Sequence, residues 1–270
     1  YPLRRQRQMC IRDRLLRELW DYRAMIVSLV KRDLKGRYKG SVLGFFWMFL
    51  NPLLQLAVYT AVFSVIMRMN IDKFYMFMFV ALVPWLFFSS CLSGGTNVIF
   101  SQQDMVKKIY FPREVLPISF TLSQFVNMLL SFLVIFVVLF FSGLPINPLA
   151  LACLPIVMIV ELVLCLGVTY ITSAVAVYFR DLTYIMNIIA MAWMYLTPII
   201  YPVSYVPDKY AKLFYLNPMT SVTIAYRDIL YYGKVPELET LTNAVIMGIV
   251  ILIVGQIMFS KLQKHFVEEL

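Results

Sequence analysis

The chain has 270 residues, of which 61% are hydrophobic and only 14% charged, and its mean hydropathy is +0.78. A soluble domain of this length is nearer half apolar, with about a quarter of its residues charged; the excess apolar surface needs a lipid solvent, so the class is integral membrane protein. The net charge of +9 is concentrated in residues 1–41, which hold twelve Lys and Arg against four Asp and Glu; beside the first apolar run this reads as contact with an anionic lipid surface rather than with nucleic acid.

Residues 1–14 show no apolar periodicity and are set apart from the fold, which is expected to occupy 15–270 as one unit. No cleavable signal peptide is expected, because the first apolar run, near Val42, is long enough to stay in the membrane. Leu15, Leu19, Tyr22, Ile26 and Leu29 recur at helical spacing, with Arg14, Glu18, Asp21, Ser28 and Arg32 opposite them. This predicts an amphipathic helix over 15–31 lying in the inner membrane interface. Residues 31–41 then lead upward into the membrane.

Six apolar stretches of spanning length follow, at 42–67, 74–92, 115–141, 148–179, 182–201 and 241–259. The turn residues of SGLPINP, at 142–148, split the third and fourth into a hairpin. With the N-terminus inside, the inner pieces carry 18 Lys and Arg and the outer pieces 6; leaving out the first 14 residues, 13 against 6 remain. Both termini are therefore expected in the cytoplasm.

The stretch TPIIYPVSYVP, at 197–207, is too apolar for an ordinary loop and too broken by proline for a span. The segment 211–226 is apolar again but too short to cross. Irregular backbone at membrane depth persists only where protein or a wet cavity surrounds it. The region is thus predicted to be a re-entrant pair of short helices dipping from the outer face. Nine aromatic residues crowd it between Tyr195 and Tyr232. They form either an interfacial belt or a lining for a substrate with apolar and hydroxyl faces, such as a sugar chain.

Catalytic groups are sparse. His265 is the only histidine, and Cys10, Cys91, Cys153 and Cys165 have neither metal-ligand nor redox spacing. No His, Cys and carboxylate cluster offers a metal site. GRYKGS, at 36–41, has its glycines too close and its lysine too early for a phosphate loop. Glu161 is the one ionisable residue well inside a span; it is either a helix-packing contact or a polar spot on a transport route. A carrier driven by protons or sodium would show several such groups, which argues against transport without a partner.

Five stretches taken together resemble the permease subunit of type-2 ABC exporters, most closely the branch that exports O-antigen, teichoic acid and similar lipid-linked glycans. They are LVKRDLKGRYKGSVLGFFWMFLNPLLQLAVYTAVFS (29–64), NVIFSQQDMVKKIYFPREVLPIS (97–119), YFRDL (178–182), LTPIIYPVSYVPDKY (196–210) and YLNPMTSVTIAYRDILYYG (215–233). They occur in the family's order and cover nearly everything after residue 15.

The resemblance implies an all-α membrane protein of six transmembrane helices, with an N-terminal interface helix and outer gate helices between spans five and six. It implies a homodimer that binds two copies of a separate cytoplasmic ATPase. That partner would carry the ATP and magnesium, and this chain would bind no cofactor or metal of its own. Asn97, Lys107, Lys108, Phe111, Pro112 and Arg113 then look like the coupling helix and its exit, with Arg180 and Asp181 as a second contact. For 97–113 the alternative is a merely basic inner loop, and for 180–181 a plain interfacial stop. Tyr195, Tyr201, Tyr205 and Tyr215, with Glu161, become candidates for the substrate path. A drug or lipid exporter of the same fold is the alternative function; a secondary transporter or channel stands further off.

Overall fold

The computed structural model describes residues 19–38 and 40–270, and among them every regular element is helical. We number the helices α1 (Arg23–Tyr38), α2 (Trp47–Thr60), α3 (Phe74–Gly94), α4 (Gln103–Lys108), α5 (Val115–Ser142), α6 (Pro148–Tyr178), α7 (Leu182–Leu196), α8 (Asp208–Tyr215), α9 (Pro218–Leu230), α10 (Leu238–Leu262) and α11 (Phe266–Glu269). A π-helical stretch, Ala61–Ile66, prolongs α2. The predicted segment 1–14, and with it Cys10, and the first apolar position of the predicted N-terminal helix, Leu15, lie outside the described residues.

Five helical segments are long and apolar enough to cross a bilayer: Trp47–Ile66, Phe74–Asn97, Val115–Ser142, Pro148–Tyr178 and Leu238–His265. The protein is a multi-pass membrane protein, and these five match five of the six predicted spans. The remaining one, expected over 182–201, is the 15-residue α7, which rises only roughly 22 Å. It stops at Thr197 because Pro198 follows: the residue before a proline is driven into extended backbone, and Thr197 has φ −101° and ψ 136°.

The N-terminal helix also differs in its bounds. Helix α1 runs to Tyr38, past the predicted end at residue 31, after a helical turn over 19–21. The Ser123 hydroxyl of α5 is hydrogen-bonded to the Asp33 carboxylate, so the segment expected to lead into the membrane stays helical alongside α5.

The centre of the bundle is α3. A helix apolar all round belongs in a core, and α3 is buried from Phe74 to Leu92 with few breaks, against α2, α5, α6, α7 and α9. By contrast α2 with its π-helical extension exposes Leu54, Val58 and Val65, and α7 exposes Tyr184, Ile188, Met191 and Tyr195. Helices α6 and α10 cross most closely. A Cβ on Gly167 would sit 2.6 Å from the Leu252 backbone nitrogen, and Gly255 faces the Gly167 carbonyl. Small residues at such crossings let two backbones touch where lipid supplies no hydrophobic drive.

The two ends of the bundle are distinct. At the basic end one apolar cluster joins Leu29 of α1, Val98, Ile99, Val106 and Phe111, the foot of α6 at Tyr170 and Val177, and Phe259 and Phe266. Leu19, Tyr22 and Ile26, the described part of the predicted apolar stripe, pack onto it. At the opposite end the α5–α6 hairpin turns at Gly143 (φ +65°), and Asn147 caps α6 by accepting from Leu149 N at 3.0 Å. There Lys73 Nζ donates to the Gly143 carbonyl at 3.4 Å and the Tyr231 hydroxyl to the Asp72 carbonyl at 2.5 Å.

Candidate functional site

All the residues expected to take part in coupling lie at the basic end. The chain leaves α3 through a short turn, Gly95–Asn97, with Asn97 exposed, and α4 follows after a second turn. Val106 and Phe111 anchor the segment by facing inward. Lys107 and Lys108 remain exposed between them, and Tyr110, which sequence reasoning passed over, is 97% exposed at the tip. Its one sequence signal was the aromatic residue between Ile109 and Phe111, indistinguishable there from a buried neighbour.

Pro112 is half-buried. Arg113 turns back to the bundle: its guanidinium is hydrogen-bonded to the Gln263 carbonyl and lies 5.9 Å from the centre of the Phe266 ring. Gln263 in turn donates to Glu114 at 2.6 Å. Arg180 stacks over Phe100 at 5.6 Å and the Thr183 hydroxyl meets that of Thr96 at 2.9 Å, which draws the exposed pair Arg180 and Asp181 to the 97–113 segment. Three stretches far apart in sequence thus form one surface. A cavity of about 460 Å³ separates part of it from α1, lined by Arg32, Asp33, Ser101 and Gln102.

At the opposite end the proline-broken stretch is held by a residue that sequence reasoning did not single out. Arg227 of α9 is 3% exposed. Its guanidinium donates to the carbonyls of Pro198 and Ile199, to that of Tyr201 at 3.3 Å and to that of Phe77 at 3.3 Å, and it lies 3.6 Å from the centre of the Phe77 ring. The carbonyls left without helical partners by Pro198 and Pro202 therefore find their donors in one planar fork. Asn217 completes the join. It caps α9 by accepting from Met219 N at 3.0 Å, accepts from the Trp193 indole at 3.0 Å and donates to the Thr197 hydroxyl at 2.8 Å.

The four candidate tyrosines differ. Tyr195, Tyr205 and Tyr215 are exposed, whereas Tyr201 is half-buried and donates to the Tyr195 carbonyl at 2.7 Å. Helix α9 is buried among α3, α6 and α10. From it the Tyr226 hydroxyl donates to Glu161 Oε2 at 2.7 Å, with both side chains fully buried. Glu161 is thereby enclosed within the bundle, whereas Tyr195, Tyr205 and Tyr215 are exposed. Near the end of α9 the Asp228 carboxyl is pushed up to about 6 by partial burial and by Glu237, against the pull of Lys234. Among the described residues no group of His, Cys, Asp and Glu is placed to hold a metal ion; Cys91 and Cys165 are buried and Cys153 half-buried, all as free thiols.

These features define a multi-pass helical membrane protein with a composite basic surface at one end and a pinned, non-helical segment at the other. Residues 25–231 match the ABC-2 type transporter family. The chain is 38% identical over 260 residues to the O-antigen export system permease protein RfbA of Myxococcus xanthus, covering 95% of this chain and 99% of that protein. It is 31% identical over 244 residues to the protein of the same description from Klebsiella pneumoniae, covering 90% and 94%. It is 21% identical over 236 residues to the polysialic acid transport protein KpsM of Escherichia coli, covering 85% and 90%. The chain belongs to the ABC-2 type transporter family.

Proposed function

We propose that the protein is the permease subunit of an ATP-driven exporter that moves a lipid-linked polysaccharide across the cytoplasmic membrane. The observation that carries this reading is the end-to-end match to O-antigen export permeases. Both termini and the basic end face the cytoplasm, in keeping with the Lys and Arg bias. Two copies of a separate ATPase dock there, bind ATP and magnesium, and hydrolyse the nucleotide; this chain supplies neither.

Lys107, Lys108 and Tyr110 meet the partner, while Phe111, Arg113 and Arg180 transmit its motion by tying the contact to the bundle. Coupling of this kind requires the partner to bind two permease states with different affinity. Two permease copies pair across the exposed apolar faces of α2 and α7, which leaves room for a polymer between them. In that dimer α7 and the 197–202 segment together make the remaining crossing, the fifth in chain order, and α8 and α9 form a re-entrant outer gate. Tyr195, Tyr205 and Tyr215 then offer aromatic faces to passing sugars, with Tyr201 behind them. Glu161 holds α6 to α9 through Tyr226 and does not touch the substrate.

The test is complementation. Deleting the gene should abolish a surface polysaccharide, and the cloned chain should restore it only together with its ATPase. Normal polysaccharide in the deletion strain, with a new drug sensitivity instead, would contradict the reading.

A further inference from the structure

At the gate end a recess of about 310 Å³ opens between the 202–204 segment, α9 and the start of α10. Tyr215 and Tyr232 present rings that are 41% and 44% exposed. Asp228 and Glu237 supply carboxylates, Ser204 and Thr240 hydroxyls, and Arg227 over Phe77 closes the floor. A wider recess of about 750 Å³ shares Tyr215, Glu237 and Thr240 with it and continues between α8 and α10 past Lys212 and Asn243. The shared wall is tied across helices. Asn243 donates to the Tyr215 carbonyl at 3.0 Å and to the Ser221 hydroxyl at 2.9 Å, which fastens the end of α8 to α10.

We propose that these adjoining recesses are a binding site for consecutive uncharged sugar units of the exported glycan, held against Tyr215 and Tyr232 with their hydroxyls donating to Asp228 and Glu237. This rests on the glycan-export reading above and specifies where and by what chemistry the polymer is held on its way out.

Three observations carry it. The smaller recess lies at the low end of small-ligand pocket volumes, which suits single ring units rather than a lipid chain. Aromatic faces beside carboxylates match a sugar, whose C–H face is apolar and whose rim carries hydroxyl donors. Among the described residues neither carboxylate forms an ion pair or a side-chain hydrogen bond, and the one guanidinium in the floor is directed to backbone carbonyls. Lys234 beside Asp228 and Lys212 in the wider recess are the remaining cations, so no concentrated positive field invites a phosphate-rich polymer. Because two recesses share one wall, a chain can hold one ring while the next enters.

The test uses the full chain purified with its ATPase and two probes: short neutral oligomers of glucose, mannose and galactose, and a glycerol phosphate oligomer of similar length. Saturation-transfer NMR should show ring-proton signals for the neutral oligomers. Tyr215→Ala or Tyr232→Ala should weaken them about fivefold, the loss of one aromatic contact. Glu237→Gln, an isosteric change at an exposed position, should weaken them as well. Phe140→Ala, an exposed aromatic of the same end outside the recess, should not. Equal signals in all variants, no signal from any neutral oligomer, or a stronger signal from the glycerol phosphate oligomer would overturn the site. The binding assay reads the recess without transport, and complementation by the wild type reads export. Failure of the first with success of the second removes the site alone; failure of the second removes the glycan-export reading.

Discussion

Arg227 donates a guanidinium hydrogen bond to the carbonyl of Pro198, 29 residues earlier in the chain. This contact explains how an apolar, proline-broken segment persists at the end of α7: its orphan carbonyls are satisfied by one buried cation. Leaving a buried polar group without its partner costs about 1–3 kcal/mol, and here at least three carbonyls share the donor.

Arg227→Lys and Arg227→Met should both lower the midpoint of thermal unfolding in detergent. Lysine should fare little better than methionine, since a point charge cannot reproduce the fork. Limited proteolysis should cut first within 197–207. An unchanged midpoint for Arg227→Met would contradict this role.

The buried pair of Glu161 and Tyr226 predicts an asymmetry. Tyr226→Phe removes the donor to Oε2, while Oε1 already lacks a partner among the described residues. The variant should lose about 1–3 kcal/mol of stability. Glu161→Gln keeps an acceptor for Tyr226 and should lose less. Export should fall only in proportion to the amount of folded protein recovered; a stable Glu161→Gln protein without export would return Glu161 to the substrate route.

Much of this arrangement was legible in the sequence, for reasons that also mark its limits. Five spans were readable because length and composition alone decide them. In the stretch 182–201 it is the helix that ends early: Pro198 stops it at Leu196, and the apolar residues beyond continue as irregular backbone. The end of α1 was misjudged because nothing in KRDLKGRYKG announces that Asp33 will meet Ser123, 90 residues away. Arg227 was hidden for the same reason. In YRDILYYG it looks like an interfacial charge, and its partners are backbone atoms that no side-chain pattern reports. Sidedness put 97–113 and 180–181 on one side of the membrane, but neither their contact through Arg180 and Phe100 nor the one through Gln263 could be read from the sequence, and the recess beside α9 depends on the docking of α8 against α10.

The α6–α10 crossing predicts a steric effect. Gly167→Val would drive a side chain into the backbone at Ile251 and Leu252. Overpacking of this kind costs about 1–3 kcal/mol, and at a backbone contact the upper end is expected. Size-exclusion chromatography should show aggregated protein, and Gly167→Ala should be milder. Wild-type behaviour for Gly167→Val would mean that the two helices are further apart than described.

At the basic end, Lys107→Glu with Lys108→Glu should weaken co-purification of the ATPase, more at low salt than at high salt because exposed charges are screened. Tyr110→Ala should weaken it at either salt concentration by about 2 kcal/mol, as expected for an aromatic anchor. Full recovery of the ATPase with all three substitutions would place the contact elsewhere.

The most direct measurement is transport of the native lipid-linked polysaccharide in proteoliposomes made with the chain alone, with its ATPase, and with that ATPase disabled in its phosphate loop. The account predicts ATP-dependent transport in the second preparation and none in the first or third. Transport by the chain alone, or transport that persists with the disabled ATPase, would contradict it.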